Sequence, residues 1–218
     1  MALLELSNIS YIVKDKSIIR DVSLSVNQGD YITIVGPSGS GKSTLLKLCS
    51  DLISPTSGTI TYNGRPLTAI DPESYRKEVG YCFQRPYLFA KTVRRNILFP
   101  YDIRGLEPDM SRIEYLFDLL HMPLNYMERR NDELSGGEMQ RICLIRSLIF
   151  EPKVLLLDEV TSALDATNTS IVENVIDELY KKGITIISIT HNEEQSLRTA
   201  NRRITIVDGQ LAKEEVLI

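Results

Sequence analysis

The most informative stretch of this 218-residue sequence is Gly36-Pro37-Ser38-Gly39-Ser40-Gly41-Lys42-Ser43. It follows the apolar run at residues 31–35 and precedes a helical pattern at residues 44–48. The glycines let the backbone curl until successive N–H groups face one anion, and a helix that begins there adds its positive end. With a strand before it and a helix after it, the stretch predicts a phosphate-binding loop rather than a chance glycine-rich turn.

A loop of this kind assigns chemistry to individual side chains. Lys42 is expected to reach the β- and γ-phosphates of a nucleotide, and Ser43 to supply a hydroxyl to Mg²⁺. We therefore predict ATP and Mg²⁺ as cofactors. The predicted nucleotide contacts in this region are Gly36, Pro37, Ser38, Gly39, Ser40, Gly41, Lys42, Ser43 and Thr44.

A second apolar run, at residues 154–157, ends in the carboxylates Asp158 and Glu159. Sheets of α/β proteins bind ligands at the carboxyl ends of their strands. Asp158 is predicted to hold the Mg²⁺ shell, and Glu159 to orient or deprotonate the attacking water. An isolated acidic pair after a strand is more often a solvated strand end, but a phosphate-binding loop in the same chain favours the catalytic interpretation.

Hydrophobic periodicity indicates an α/β fold. Val22, Leu24 and Val26 alternate with polar residues, which is typical of a half-buried strand. The runs at 31–35, 154–157 and 184–189 are apolar without alternation, as expected for a parallel sheet covered on both faces. The sequence therefore predicts a mixed, mainly parallel sheet with helices, preceded by antiparallel strands.

The region between about residues 85 and 151 has a mainly helical pattern. Within it, Ser111 and Glu114 have the spacing of a capping box at a helix start. We predict one domain, residues 1–218, whose core comprises residues 1–84 and 152–218. Residues 85–151 are expected to form an inserted α-helical subdomain.

Composition excludes several classes of protein. The chain has 25 Lys+Arg and 29 Asp+Glu residues, and its basic doublets are scattered, so we expect no nucleic-acid partner. No apolar stretch approaches the roughly 20 residues that span a bilayer, and the N-terminus lacks the pattern of a signal peptide. The three cysteines fit neither a disulfide framework nor a metal cluster. These features predict a cytoplasmic protein with free thiols.

The segment Leu134-Ser135-Gly136-Gly137-Glu138 supplies a further candidate site. Ser135 can cap a helix, Glu138 completes a capping box, and two glycines expose backbone N–H groups at the helix start. Taken alone, the segment fits a plain capping box. Two glycines, however, destabilise a helix by about 0.8–1.0 kcal/mol each relative to alanine, which makes better sense if a ligand approaches the backbone. A second phosphate-binding surface suggests two chains that share two nucleotides.

Together these motifs resemble the ATP-binding subunits of ABC transporters, over essentially the whole chain. LSGGE followed by Met139-Gln140-Arg141 resembles the family signature, with Glu138 where Gln is commonest. The resemblance implies an ATPase of the P-loop NTPase fold that pairs head to tail with a second copy. It also implies an integral membrane permease as partner, with the ATPase bound at the inner face of the membrane through that permease.

The resemblance also assigns roles that spacing alone does not show. Gln84 resembles the glutamine that contacts Mg²⁺ and reports to the permease, and Asp165 resembles the aspartate at the dimer seam. His191 resembles the histidine that contacts the γ-phosphate. Tyr11 lies where the family places an aromatic residue that stacks on adenine, although a core tyrosine is the alternative.

A narrower resemblance is to the Fet-type bacterial iron exporter ATPases. It rests on residues 52–59, on residues 81–100 and on LLLDEVTSALD. It implies metal export, plausibly of iron; transport of another substrate such as a lipid, peptide or drug is the alternative. A non-transport ABC ATPase and a scaffold without hydrolysis fit less well. Tyr87 and Phe89 lie near Arg94 and Arg95 in the sequence. We expect them either to line a groove that receives a permease helix or to be buried in the core of the helical region.

Overall fold

The computed structural model describes residues 2–190, 192, 197 and 199–217. Its strands are β1 (Leu4–Val13), β2 (Lys16–Val26), β3 (Tyr31–Val35), β4 (Ser57–Tyr62), β5 (Arg65–Pro66), β6 (Val79–Cys82), β7 (Val154–Asp158), β8 (Thr185–Ile189), β9 (Arg202–Val207) and β10 (Gln210–Val216). Its α-helices are α1 (Lys42–Cys49), α2 (Pro72–Glu78), α3 (Val93–Asp102), α4 (Met110–Leu119), α5 (Gly136–Leu148) and α6 (Ala166–Lys181). None of the described helices is long and apolar enough to cross a membrane.

The N-terminal strands form an antiparallel sheet in the order β2-β1-β4-β5. Alternation along β2 places Val22, Leu24 and Val26 in the core, as the period of two predicts. The turn between β4 and β5 is Asn63-Gly64, and it pairs Tyr62 with Arg65. An Asn-Gly pair accepts the left-handed backbone that a two-residue hairpin requires.

The second sheet has the order β10-β9-β3-β8-β7-β6 and is parallel except for the β9–β10 pair. The side chains of β7 are all buried, as the unbroken apolar run predicts. Because β3 and β7 run in the same direction on either side of β8, their carboxyl ends meet at one edge of the sheet. This topology brings the loop at residues 36–43 to the end of β7.

Helices α3, α4 and α5 lie between β6 and β7 in the chain, where the helical pattern was predicted. Their apolar residues share one hydrophobic cluster with Leu155 and Leu157 of β7 and with Ile186 of β8. The strands of the antiparallel sheet and α1 pack in a second cluster, against the other side chains of β7 and β8. The division of the chain at residues 85 and 151 into core and subdomain stays a prediction.

The start of α4 differs from the sequence prediction. Its N-cap is Asp109, whose carboxylate accepts a hydrogen bond from the backbone N–H of Arg112 at 2.9 Å. The predicted capping box of Ser111 and Glu114 is therefore wrong. An aspartate two residues earlier caps the helix equally well, so Ser111 falls inside the first turn.

Candidate functional site

The loop at residues 36–43 is held by the backbone of the C-terminal hairpin. Gly36 has φ +139°, and a Cβ atom at this position would lie 2.0 Å from the carbonyl oxygen of Ile206. Only glycine fits this close approach. In the turn between β9 and β10, the N–H of Gly209 donates to the carbonyl oxygen of Ser40 at 3.0 Å. The loop therefore has a fixed shape that depends on β9 and on the turn that follows it.

Lys42 extends back over this loop. Its ammonium donates to the carbonyl oxygens of Gly36, at 2.8 Å, and Pro37, at 2.9 Å. Burial lowers the pKa of Lys42, while the negative charges of Glu159 and Asp158 oppose that lowering. The N-cap residue Gly41 brings no side chain to the N–H groups that begin α1. These groups and the ammonium form a cationic cradle of the kind that binds phosphate oxygens.

Ser43 and Asp158 meet directly, although they are far apart in the sequence. The Ser43 hydroxyl donates to Oδ1 of Asp158 at 2.8 Å, and Asp158 is buried. The second carboxylate oxygen, Oδ2, accepts a hydrogen bond from the Tyr81 hydroxyl at 2.7 Å. Mg²⁺ prefers oxygen ligands and usually takes one or two carboxylates together with water and phosphate. The hydroxyl of Ser43 and the carboxylate of Asp158 fit that donor set.

Glu159 follows Asp158 with its backbone in the left-handed region, at φ +50°. This conformation is uncommon for a residue with a side chain and is typical of functional turns. The side-chain amide of Gln84 donates to Oε2 of Glu159 at 2.5 Å. Gln84 and Glu159 therefore meet at the end of the parallel sheet, beside the Ser43–Asp158 pair.

The segment Ser135-Gly136-Gly137 begins α5 as predicted. The Ser135 hydroxyl accepts from the N–H of Glu138 at 3.3 Å, and the Glu138 carboxylate accepts from the N–H of Ser135 at 2.7 Å. Glu138 also accepts from the Tyr126 hydroxyl at 2.6 Å. A Cβ atom at Gly136 would have no neighbour within 4 Å, so one face of this helix start is open.

Asp165 lies close to this helix start through Asn168. It is the N-cap of α6 and accepts from the backbone N–H and the side-chain amide of Asn168, both at 2.8 Å. These hydrogen bonds lower the pKa of Asp165. A Cβ atom at Gly137 would lie 2.8 Å from the side chain of Asn168. Asp165 and the glycine pair, which are predicted to lie at the dimer seam, are therefore neighbours on the surface of one chain.

The remaining predicted residues are placed as follows. Tyr11 is half-buried on β1, paired with Ile19, and Ile19 lies against Gly41 of the loop. It is therefore one strand away from the loop, and its stacking on adenine stays a prediction. Thr44 lies in the first turn of α1. His191 lies outside the described residues.

Sequence reasoning missed two residues of this region. Tyr81 reaches Asp158 because β6 pairs with β7 in parallel, with Tyr81 opposite Leu156. Asn168 links Asp165 to Gly137. No local motif marks either residue. The only available signal for Tyr81 was its position near the end of a strand that could neighbour β7.

A groove opens beside the turn that carries Gln84, and we call it the aromatic groove. Its volume is about 340 Å³. Its lining includes the aromatic residues Tyr81, Phe83, Tyr87, Phe89, Phe99 and Phe150 and the cations Arg76, Lys77, Arg104 and Arg146. Tyr87 is 68% exposed and Phe89 43% exposed. These exposures show that the core interpretation of Tyr87 and Phe89 is wrong.

Comparison with known proteins explains this arrangement. The sequence profile of the ABC transporter family matches residues 19–162. The chain belongs to the ABC transporter family. It is similar to the probable iron export ATP-binding protein FetA of Escherichia coli (strain K12), with 42% identity over 94% of this chain and 91% of that protein. The predicted family and the predicted fold class are therefore confirmed.

Other relatives of this ABC ATPase carry other descriptions. The lipoprotein-releasing system ATP-binding protein LolD 1 of Chlorobium chlorochromatii (strain CaD3) is 38% identical over 93% of this chain and 85% of that protein. Among solved structures, a dimeric ATP-binding cassette in a post-hydrolysis state with ADP and Pi aligns with TM-score 0.89. That alignment covers 99% of both chains at 26% identity. The chain is thus an ATP-binding subunit whose ATP hydrolysis is coupled to transport.

Proposed function

We propose that this ABC ATPase binds Mg-ATP at a head-to-tail interface between two copies and drives a membrane permease that exports iron. The observation that carries the dimeric site is the open helix start at Gly136. Within the described part of the chain, Ser135 and the loop at 36–43 share no hydrogen bond. A phosphate-binding helix start without a phosphate partner in its own chain suits the γ-phosphate of ATP bound to a second copy.

Hydrolysis in this site uses the groups at the ends of β3 and β7. Lys42 and the N–H groups of α1 hold the phosphates, and Ser43 and Asp158 would hold Mg²⁺, which would supply neutralisation of charge on the phosphate oxygens. Glu159 accepts a proton from the attacking water or orients it, while Gln84 fixes the position of that carboxylate. His191 is proposed to contact the γ-phosphate. Asp165 and the Ser135-Gly136-Gly137 segment complete the site across the seam.

The aromatic groove is the proposed docking site of the permease. Exposed aromatic side chains in a concave surface are typical anchors for a helix of a partner. Two cations in it have no carboxylate within 4 Å among the described residues: Arg104, which donates to the carbonyl oxygen of Pro100, and Arg146, which donates to that of Tyr87. A permease helix with apolar side chains and at least one carboxylate therefore complements the groove.

Iron as cargo is supported by the similarity to FetA and by the same narrower resemblance in the sequence. The described residues contain no cluster of three or more His, Cys, Asp or Glu side chains that could hold a metal ion. We therefore assign binding of the cargo to the permease, since iron needs N, O or S ligands. Deletion of the gene should raise the cellular iron content and increase sensitivity to peroxide under iron load. Unchanged iron with a growth defect on another solute would contradict this cargo.

Docking is tested with Phe89→Asp and the control Leu124→Asp, because both residues are exposed but only Phe89 lines the groove. Phe89→Asp should still bind ATP and melt like the wild type, yet fail to co-purify with the co-expressed partner permease. Leu124→Asp should co-purify normally. If Phe89→Asp co-purifies with the permease as well as Leu124→Asp does, the groove is not the docking site.

A further inference from the structure

The hydroxyl of Tyr81 is the least expected contact of the nucleotide site. It donates to Oδ2 of Asp158 at 2.7 Å, while the Ser43 hydroxyl occupies Oδ1 at 2.8 Å. Both oxygens of a buried carboxylate are thus held by hydroxyl donors from two different elements, β6 and α1. With both bonds made, the carboxylate plane cannot rotate without loss of a hydrogen bond.

The ring of Tyr81 is itself held in place. It packs edge-on against Phe83, with ring centroids 4.6 Å apart and an interplanar angle of 65°. Both rings line the aromatic groove. The ring contact with Phe83 and the hydrogen bond to Asp158 together hold the Tyr81 hydroxyl in one position.

We propose that Tyr81 is a positioning residue that fixes the plane of the Asp158 carboxylate for the nucleotide-bound Mg²⁺. The lone pairs of the Ser43 oxygen would be available to Mg²⁺ while its O–H donates to Oδ1, and the Tyr81 bond fixes the second oxygen, Oδ2, of the same carboxylate. Tyr81 thereby joins this carboxylate to the wall of the aromatic groove. This role rests on the proposed use of Asp158 in Mg-ATP binding.

The test compares Tyr81→Phe with Tyr62→Phe. Tyr62 is a matched control because its hydroxyl also donates to a carboxylate, Oε2 of Glu78, at 2.7 Å, and its ring also packs edge-on against an aromatic ring, that of Tyr75. Each variant keeps its ring and loses one hydroxyl. Binding of a fluorescent, non-hydrolysable ATP analogue is titrated with Mg²⁺ and with EDTA.

Tyr81→Phe should raise the Kd for the Mg²⁺ complex about three- to tenfold, equivalent to one hydrogen bond of about 0.7–1.4 kcal/mol, and leave the Kd in EDTA unchanged. Tyr62→Phe should change neither Kd. Tyr81→His retains an N–H donor and should recover part of the lost Mg²⁺ affinity. This variant also carries the test if Tyr81→Phe does not fold.

The possible results separate two failures. If the Kd of the wild type is the same with Mg²⁺ and with EDTA, the proposal of a metal site is itself wrong. If Mg²⁺ lowers the Kd of the wild type and lowers that of Tyr81→Phe equally, only the proposed role of Tyr81 is wrong. An equal loss of affinity with Mg²⁺ and with EDTA would mean that Tyr81 supports the fold of the site and does not position Asp158.

Discussion

Gln84 donates its side-chain amide to Glu159 across 2.5 Å. The bond connects Gln84, which follows the groove-lining residue Phe83, to the carboxylate that follows β7. Any movement of the groove wall that displaces Gln84 therefore changes the position of the proposed catalytic carboxylate. Together with the Tyr81–Asp158 bond, this pair connects the side of the aromatic groove to the proposed site of hydrolysis.

Replacing Gln84 with leucine removes this donor and keeps a similar side-chain volume. Hydrogen bonds to charged groups contribute about 1.5–3 kcal/mol, so kcat should fall roughly ten- to hundredfold. The Kd for ATP in the absence of Mg²⁺ should not change, because the described hydrogen bond of Gln84 is to Glu159 and not to the loop at 36–43. Steady-state ATPase assays and nucleotide titrations measure the two quantities. A normal kcat would show that Glu159 needs no support from Gln84.

Glu159→Gln keeps the hydrogen-bonding shape and removes the negative charge and the proton acceptor. ATP should still bind through Lys42 and the loop, while kcat falls by about 10²–10⁴. Because the γ-phosphate persists and charge repulsion near it is reduced, the variant should elute as a dimer with Mg-ATP. Size-exclusion chromatography with light scattering measures this.

The double variant Glu159→Gln/Ser135→Arg is the control for that dimer. An arginine at the start of α5 would block the approach of the γ-phosphate from the second copy, so the double variant should remain monomeric. A Glu159→Gln protein that stays monomeric at saturating ATP would count against a shared site. Hydrolysis near the wild-type rate would remove Glu159 as the base.

Gly136→Ala and Gly137→Ala should behave differently although the residues are adjacent. A Cβ atom at Gly136 meets nothing within 4 Å, so Gly136→Ala should keep or raise the melting temperature of the single chain. At Gly137 the Cβ atom would push Asn168 away from Asp165. The loss of that hydrogen bond should cost about 1 kcal/mol, or about 2–4 °C in Tm.

The ATP-driven dimer separates the roles of the two glycines further. Gly136→Ala in the Glu159→Gln background should weaken the dimer, because in the proposed shared site the added methyl group would face the second copy's nucleotide. An intact dimer combined with a higher Tm would mean that Gly136 is only a helix start. Thermal melts and light scattering at several ATP concentrations distinguish these results.

Glu138→Gln tests the capping box through its pH dependence. Burial would raise the pKa of Glu138, but the hydrogen bonds from Tyr126 and Ser135 outweigh it, so the pKa lies below the ordinary value of 4.5. A carboxylate whose pKa is lowered by folding contributes its full stabilisation at pH values above its pKa in the unfolded chain. That contribution is lost as the pH falls through its pKa in the folded chain. At pH 7 the variant should therefore be less stable by about 0.5–1 kcal/mol.

The stabilities of Glu138→Gln and the wild type should converge only as the pH falls through the lowered pKa of folded Glu138, because its carboxylate is then neutral. Urea unfolding at pH 7 and at a series of lower pH values, extending below the ordinary glutamate pKa, measures the difference. A difference that is independent of pH would show that side-chain shape, rather than charge, supports the start of α5.

The residues that could be predicted from the sequence are those whose chemistry is local. The loop at 36–43, the Asp158-Glu159 pair and the Ser135 cap each consist of neighbouring residues whose spacing alone defines their geometry. The alternation in β2 and the apolar run of β7 predicted the two kinds of sheet for the same reason. A sequence pattern can predict these features because their geometry depends only on the backbone of adjacent residues.

Contacts between distant segments could not be predicted in this way. Tyr81 reaches Asp158 only because β6 lies beside β7, and no pattern within either strand specifies its neighbour. The N-cap at Asp109 was missed because Ser111 offered an equally good spacing. The exposure of Tyr87 and Phe89 depends on how α3 and α5 pack, which periodicity does not determine.

The support that β9 and the turn after it give to the loop at 36–43 has a consequence for biosynthesis. The carbonyl of Ile206 closes against Gly36, and the N–H of Gly209 binds Ser40. A chain still on the ribosome and extended only to Thr190 contains the loop at 36–43, the Asp158-Glu159 pair and the Ser135-Gly136-Gly137 segment, yet lacks the backbone that gives the loop its shape. We therefore expect competence to bind ATP to arise only after β9 and the turn that follows it have been synthesised, so chains terminated before β9 should not consume ATP.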